Sequence, residues 1–143
     1  GVSRRAKLWP ETVAALKASL KKRPEPNSED DASLFFITKY GNSWSKNTTG
    51  NPVSLVFRRL LDECGLHRSG LGFYSLRRSF ETVAGETLDQ PAVDLVMGHT
   101  PLAGDMGARY RQRVGDDRVE AVCEHVRKWL FPAKKKVSKK AAK

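Results

Sequence analysis

Three side chains of reactive type stand in order within a short stretch: Arg77, His99 22 residues later, and Tyr110 a further 11 residues on. Arg77 lies in Phe73-Tyr74-Ser75-Leu76-Arg77-Arg78-Ser79-Phe80. The apolar spacing there predicts a helix beginning near Ser75, which puts Arg77 in its first turn. His99 follows Gly98 directly, at a point where a helix is expected to stop. Tyr110 sits in Ala108-Arg109-Tyr110-Arg111-Gln112-Arg113. A guanidinium fork can grip two oxygens of one phosphate. Arg78, Arg109, Arg111 and Arg113 are candidates for further phosphate contacts. A phenol can serve as a nucleophile, but its ordinary pKa of about 10 calls for a base or a strong hydrogen-bonding field near neutrality. Each residue alone also has a plainer reading. Arg77 and its neighbouring arginines can be solvated helix charge, His99 can satisfy helix-end carbonyls, and Tyr110 can pack its ring with the hydroxyl in water.

The elements that must position these groups read as mostly helical. Pro10 suits a first helical turn, followed by Val13, Leu16 and Leu20 at helical spacing. Ser33–Thr38 reads as a buried strand ended by the turn Lys39-Tyr40-Gly41-Asn42. Asn51 can cap a second helix with Pro52 at its first position, an apolar face running from Val53 to Cys64, and Gly65 as its stop. Asp89 can cap a short helix through Met97, ended by a left-handed Gly98. Asp117 and Glu120 have capping-box spacing before a closing helix that carries Val119, Val122, Cys123, Val126 and Leu130 on one face. The alternation of Val2, Arg4, Ala6 and Leu8 suggests one strand of a hairpin whose partner precedes Gly1.

The order Arg77, Gly98-His99, Tyr110, behind a strand, a turn, a Leu/Phe-rich helix and a glycine loop, resembles the carboxy-terminal part of the tyrosine recombinase (phage integrase) catalytic domain, over about Val2 to Phe131. The family's motif runs His-x-x-Arg, then Leu-Gly-His, then a nucleophilic tyrosine. The resemblance implies a mainly α (α+β) fold, a helical catalytic core with a small β-sheet remnant. It implies that Tyr110 is the nucleophile, Arg77 the phosphate clamp and His99 a hydrogen-bond donor to the phosphate. The reaction would be DNA recombination or integration through a 3′-phosphotyrosyl intermediate, because a nucleophile that stays attached conserves the bond energy for rejoining. Fixed cations and donors would stand in for a metal, so no metal and no cofactor are expected. Double-stranded DNA is the implied partner, with a homo-oligomer assembled on it.

The chain departs from that pattern in three ways. Tyr74 occupies the position where the family usually has histidine, and a tyrosine hydroxyl can donate to a phosphate oxygen but is a poor base near neutrality. The segment between His99 and Tyr110, with Pro101, Gly104 and Gly107, is slightly longer than the family's. Nothing in residues 1–50 matches the family's first catalytic arginine or its hairpin lysine. The resemblance therefore implies a piece of a longer recombinase, inactive alone. The rival reading is a non-catalytic nucleic-acid-binding domain in which Tyr110 is structural; only the enzyme reading needs its hydroxyl.

Composition sets the remaining bounds. A chain of 143 residues with 39% apolar content suits one compact domain, assigned to residues 1–132, with a core that needs no staples. The longest apolar runs, Val13–Leu16 and Leu34–Ile37, are far too short to span a membrane. No secretory signal pattern opens the chain. Cys64 and Cys123 lack metal-ligand spacing and read as reduced core residues, which points to a cytoplasmic location, nucleoid-associated as the DNA partner of the resembled family implies. The net charge of +10 implies an anionic partner. Lys134, Lys135, Lys136, Lys139, Lys140 and Lys143 supply six of those charges, leaving +4 on residues 1–133. That basic stretch, 133–143, reads as a disordered tail that either holds nucleic acid without reading sequence or aids solubility.

Overall fold

A computed structural model describes residues 4–45, 50–100 and 104–133, without the side chains of Ala108 and Arg109. The fold is mainly helical. Among the described residues seven helices run in order: α1 (Pro10–Lys21), α2 (Glu29–Ala32), α3 (Pro52–Glu63), α4 (Tyr74–Gly85), α5 (Gln90–Met97), α6 (Met106–Tyr110) and α7 (Asp116–Leu130). None is long and apolar enough to cross a membrane. The chain divides into two compact units, Gly1–Trp9 with Phe80–Lys143, and Pro10–Ser79, and the boundary falls inside α4.

In the first unit, Val83 and Ala84 of α4, Ala92, Val93 and Met97 of α5, and Val122 and Val126 of α7 form one buried cluster. Helix α5 packs on α7. The α5 start follows the expected design: Asp89 is its N-cap and accepts from the Ala92 amide, with proline in the first turn. Arg118 of α7 donates from Nε to Asp89 Oδ2 at 2.7 Å, and its Nη2 bonds the other oxygen. That guanidinium holds the Asp89 carboxyl below its usual range. Cys123 is buried as expected, and desolvation pushes its thiol pKa up.

Of the strand expected at the amino terminus, Val2 lies outside the described residues, and the expected partner strand would precede Gly1. Residues 4–9 carry no strand pairing, and their side chains are taken up by the α7 region instead. Arg5 pairs with Asp116 at 3.1 Å, Lys7 with Glu120 at 2.9 Å, and Trp9 Nε1 donates to the Cys123 carbonyl at 2.9 Å. The expected capping box is also absent. Helix α7 begins two residues earlier, at Asp116, with Gly115 as an N-cap that offers no side chain. Asp116 and Asp117 in its first turn still oppose the positive end of the helix dipole.

In the second unit, Asn51 caps α3 by accepting from the Ser54 amide, with Pro52 in its first turn, as the sequence predicts. Gly65 takes a left-handed φ of 67° just past the helix end. Cys64 is exposed at that end, so it is not a core residue. Ser33–Thr38 is not a buried strand. Ile37 makes one isolated antiparallel bridge to Ser43, and Leu34, Phe35 and Phe36 are exposed. The reason lies in the preceding turn. Ser28 caps the short α2, and the buried Asp31 accepts from Ser28 Oγ at 2.7 Å and from the Ser43 amide at 3.0 Å. Arg23 then binds the carbonyls of Asp31, Ala32 and Leu34. Side chains thus occupy the backbone groups a sheet partner would use, and among the described residues the expected sheet remnant shrinks to that single bridge.

Candidate functional site

Helix α4 carries two of the expected site residues. Its entry is pinned by Ser75, whose Oγ accepts from the Gly72 amide at 3.1 Å. Arg78 donates from Nη2 to the Gly70 carbonyl and to Ser75 Oγ, both at 3.2 Å. Arg78 is therefore engaged in fastening the loop before the helix. Tyr74 opens the helix with an exposed ring. Arg77, one turn on, is half-buried. Its guanidinium makes no hydrogen bond or ion pair with any described residue.

His99 stands just beyond α5. Gly98 ends that helix in the left-handed conformation, φ 68° and ψ 39°, and its amide donates to the Asp94 carbonyl. The His99 amide bonds the same carbonyl at 2.9 Å. These two bonds fold the chain back so that the half-buried imidazole meets the side chain it follows by five residues, with Nδ1 lying 3.2 Å from Asp94 Oδ1. Gln90 Nε2 donates to Asp94 Oδ1 at 2.9 Å and to Glu81 Oε1 at 3.3 Å, tying the two carboxylates together. The second Glu81 oxygen is buried without a hydrogen-bond partner. Glu81, Asp94 and His99 are residue types that can ligate a divalent cation, and their candidate atoms lie within 4.8 Å of one another. The Gln90 amide bridges the two carboxylates by hydrogen bonds, and Asp94 in turn supports the histidine.

Arg4 packs its side chain directly on Gly98, so closely that any Cβ at that position would collide with its Nε. This places a guanidinium stem beside the residue preceding His99. Among the described residues Arg4 has no carboxylate partner.

Tyr110 is the last residue of the five-residue α6. Its ring is 76% exposed and its hydroxyl makes no hydrogen bond among the described residues. Arg111 and Arg113 follow it, both exposed and neither bonded through its side chain to a described residue. The side chain of Arg109, and all of Lys134, Lys135 and Lys136, lie outside the described residues.

Tyr74 and Arg77 thus share one helix face at its start, while His99 and Tyr110 sit at the ends of two helices of the other unit. Reading the sequence missed Asp94, Gln90 and Glu81 behind His99. Asp94 carried a signal, an acid one turn before a helix-ending glycine followed by histidine. The approach of Arg4 to Gly98 carried none, because it depends on tertiary docking of residues far apart in the chain. No protein-family model, curated protein or solved structure matches the chain.

Proposed function

We propose that this chain forms part of a tyrosine-recombinase catalytic domain that cuts and rejoins DNA strands through a 3′-phosphotyrosyl link. The observation that carries the reading is Arg77. Arg5, Arg23, Arg78 and Arg118 are each committed to a carbonyl or a carboxylate. Arg77 is held half-buried on α4 with no such partner among the described residues. A guanidinium that is partly desolvated and unpaired is set to receive an anion. The exposed Tyr110 phenol, followed by two unpaired arginines, supports the same reading.

In this scheme Tyr110 Oη attacks phosphorus, the bond to the 5′-oxygen breaks, and the leaving oxygen takes up a proton while the phenol gives one up. Arg77 carries charge that builds on the non-bridging oxygens. His99 donates to one of them when its ring is protonated. Rejoining runs the same path in reverse.

Trapping the covalent intermediate tests the proposal. A pool of nicked, randomised DNA duplexes, incubated with the polypeptide that contains this chain along with the family's first arginine and hairpin lysine, should yield an adduct that maps by peptide mass to Tyr110. Tyr110→Phe should abolish it. Arg77→Ala and Arg77→Lys should both suppress the adduct while leaving the thermal midpoint nearly unchanged, since a lysine point charge cannot reproduce the bidentate fork. An adduct on Tyr40 or Tyr74, or full yield from Tyr110→Phe, would overturn the assignment. Salt-sensitive duplex binding with no adduct would leave the chain as a non-catalytic nucleic-acid-binding domain.

A further inference from the structure

The turn after α2 leaves two large aromatic rings at the surface. Phe36 is 60% exposed and Phe35 37%, and they meet edge to face with centroids 4.7 Å apart. Such a pair would normally be drawn into a core, and an exposed aromatic patch rimmed by polar groups marks a binding surface. These rings form one wall of an open cavity of about 240 Å³. Its other walls include Lys22, Arg23 and Lys39, and no acidic side chain lines it.

The three cations are presented in different ways. Arg23 is fixed, because its Nη2 is spent on the carbonyls of Asp31, Ala32 and Leu34. Its Nε, however, is buried without any partner, a donor that the fold desolvates and does not use. Lys22 makes no side-chain hydrogen bond or ion pair with a described residue. Lys39 has its ammonium over the Tyr40 ring, 4.8 Å from the centroid, and so is steered without being neutralised. The cavity therefore combines an aromatic surface with two lysine charges and a wall that includes the fixed Arg23. A nucleotide has the complementary chemistry: a base with a π face for the phenylalanines and an anionic phosphate for the cations. Aromatic platforms beside a basic groove are the means by which proteins hold unpaired nucleotides without reading sequence.

We infer that the cavity between the end of α1 and the Phe35–Phe36 turn is a binding site for one nucleotide of single-stranded nucleic acid, stacked on Phe36 with its phosphate at Lys22 and Lys39. This site lies wholly within the unit Pro10–Ser79 and does not depend on Arg77, His99 or Tyr110. It stands whether or not the chain belongs to a recombinase.

The test is a fluorescence-anisotropy titration of the full 143-residue chain with a short labelled oligothymidine at several salt concentrations. Phe36→Ala removes an exposed ring and should leave the circular-dichroism spectrum unchanged. It should weaken binding about 5- to 100-fold, the range that loss of one base-stacking contact produces. The double variant Lys22→Ala/Lys39→Ala should weaken binding and flatten the slope of log affinity against log salt by about 0.7, one phosphate's worth on a single strand. Inorganic polyphosphate should bind with no dependence on Phe36, since it has no base to stack. Absence of oligothymidine binding, or binding that Phe36→Ala leaves unchanged, would overturn the inference. So would a lysine double variant with an unaltered slope. A failed adduct-trapping experiment alongside a Phe36-dependent affinity would remove the recombinase reading and leave this site intact.

Discussion

At the scale of single residues, His99 owes its orientation to groups that the reactive order Arg, His, Tyr does not include. With Asp94 Oδ1 lying 3.2 Å from Nδ1, the proton of the neutral ring belongs on Nδ1, which leaves Nε2 as the acceptor. A neutral His99 can then accept a proton at Nε2, and it becomes a donor there only when protonated. Long-range nitrogen–proton correlation spectra of the histidine-labelled chain, recorded where His99 is neutral, should show the Nδ1–H tautomer. Asp94→Ala should shift the ring toward the Nε2–H form that dominates in free histidine. Gly98 is the second determinant at this scale. Its φ of 68° is one that an L side chain adopts at a cost of about 1–2 kcal/mol, and Arg4 fills the space a Cβ would need. Gly98→Ala should therefore lower the free energy of unfolding by at least that amount in a denaturant titration. In an Arg4→Ala background the same substitution should cost less, because only the backbone strain remains.

At the scale of elements, most of what local chemistry dictates was legible in the sequence. Asn51 with Pro52, Asp89 ahead of Gln90-Pro91, and Gly98 each form the cap or stop their residue type predicts, because those contacts close within four residues. What failed depended on distant partners. Leu-Phe-Phe-Ile has the composition of a buried strand, yet Arg23 and Asp31 take the backbone groups a neighbouring strand would need. Residues 4–9 have strand-like alternation, yet Arg5, Lys7 and Trp9 find their partners in the α7 region. The candidate site divides the same way: Arg77, His99 and Tyr110 stand out by type and order, while the Glu81–Gln90–Asp94 support needed the α4–α5 turn to exist. The Asp89–Arg118 pair links two elements and makes its own prediction. Because the Asp89 carboxyl is held below its usual range, chiefly by the hydrogen bond from Arg118, the charged form is favoured in the folded state. Its contribution is fully present above the unfolded-state value of about 3.9 and is lost as pH falls through the lower folded value. Asparagine caps a helix about as well as aspartate, so Asp89→Asn isolates the charge. The stability gap between Asp89→Asn and the unaltered chain should be constant from neutrality down to about pH 5. It should close progressively in more acid solution, as read from urea midpoints across that range.

At the scale of the whole molecule, charge is distributed unevenly along the chain. Six of its ten net positive charges fall in the last ten residues, with no acid and no aromatic among them. Four are spread over the first 133 positions, where 16 acids offset most of the basic side chains. Many of those basic groups are consumed internally: Arg5, Lys7, Arg58, Arg118 and Arg127 each pair with a carboxylate. The carboxy-terminal lysines, Arg77, Arg111, Arg113, Lys22 and Lys39 are among the charges that can serve a polyanion. Each phosphate that a lysine neutralises on duplex DNA releases condensed counterions and adds about 0.9 to the magnitude of the salt slope. Lysines on a segment without aromatics contribute this charge but no stacking, so they cannot favour one sequence over another. Deleting residues 133–143 should therefore weaken binding to any two unrelated duplexes by the same factor. It should also reduce the magnitude of the salt slope, by up to about 5 if all six lysines engage phosphates. Titrating both forms of the protein against two duplexes at several salt concentrations measures both effects at once. An unchanged slope would assign the tail to solubility and leave duplex binding to the arginines near Tyr110 and on α4. A loss confined to one of the two duplexes would mean that the terminal segment reads sequence, contrary to what a run of lysines can do.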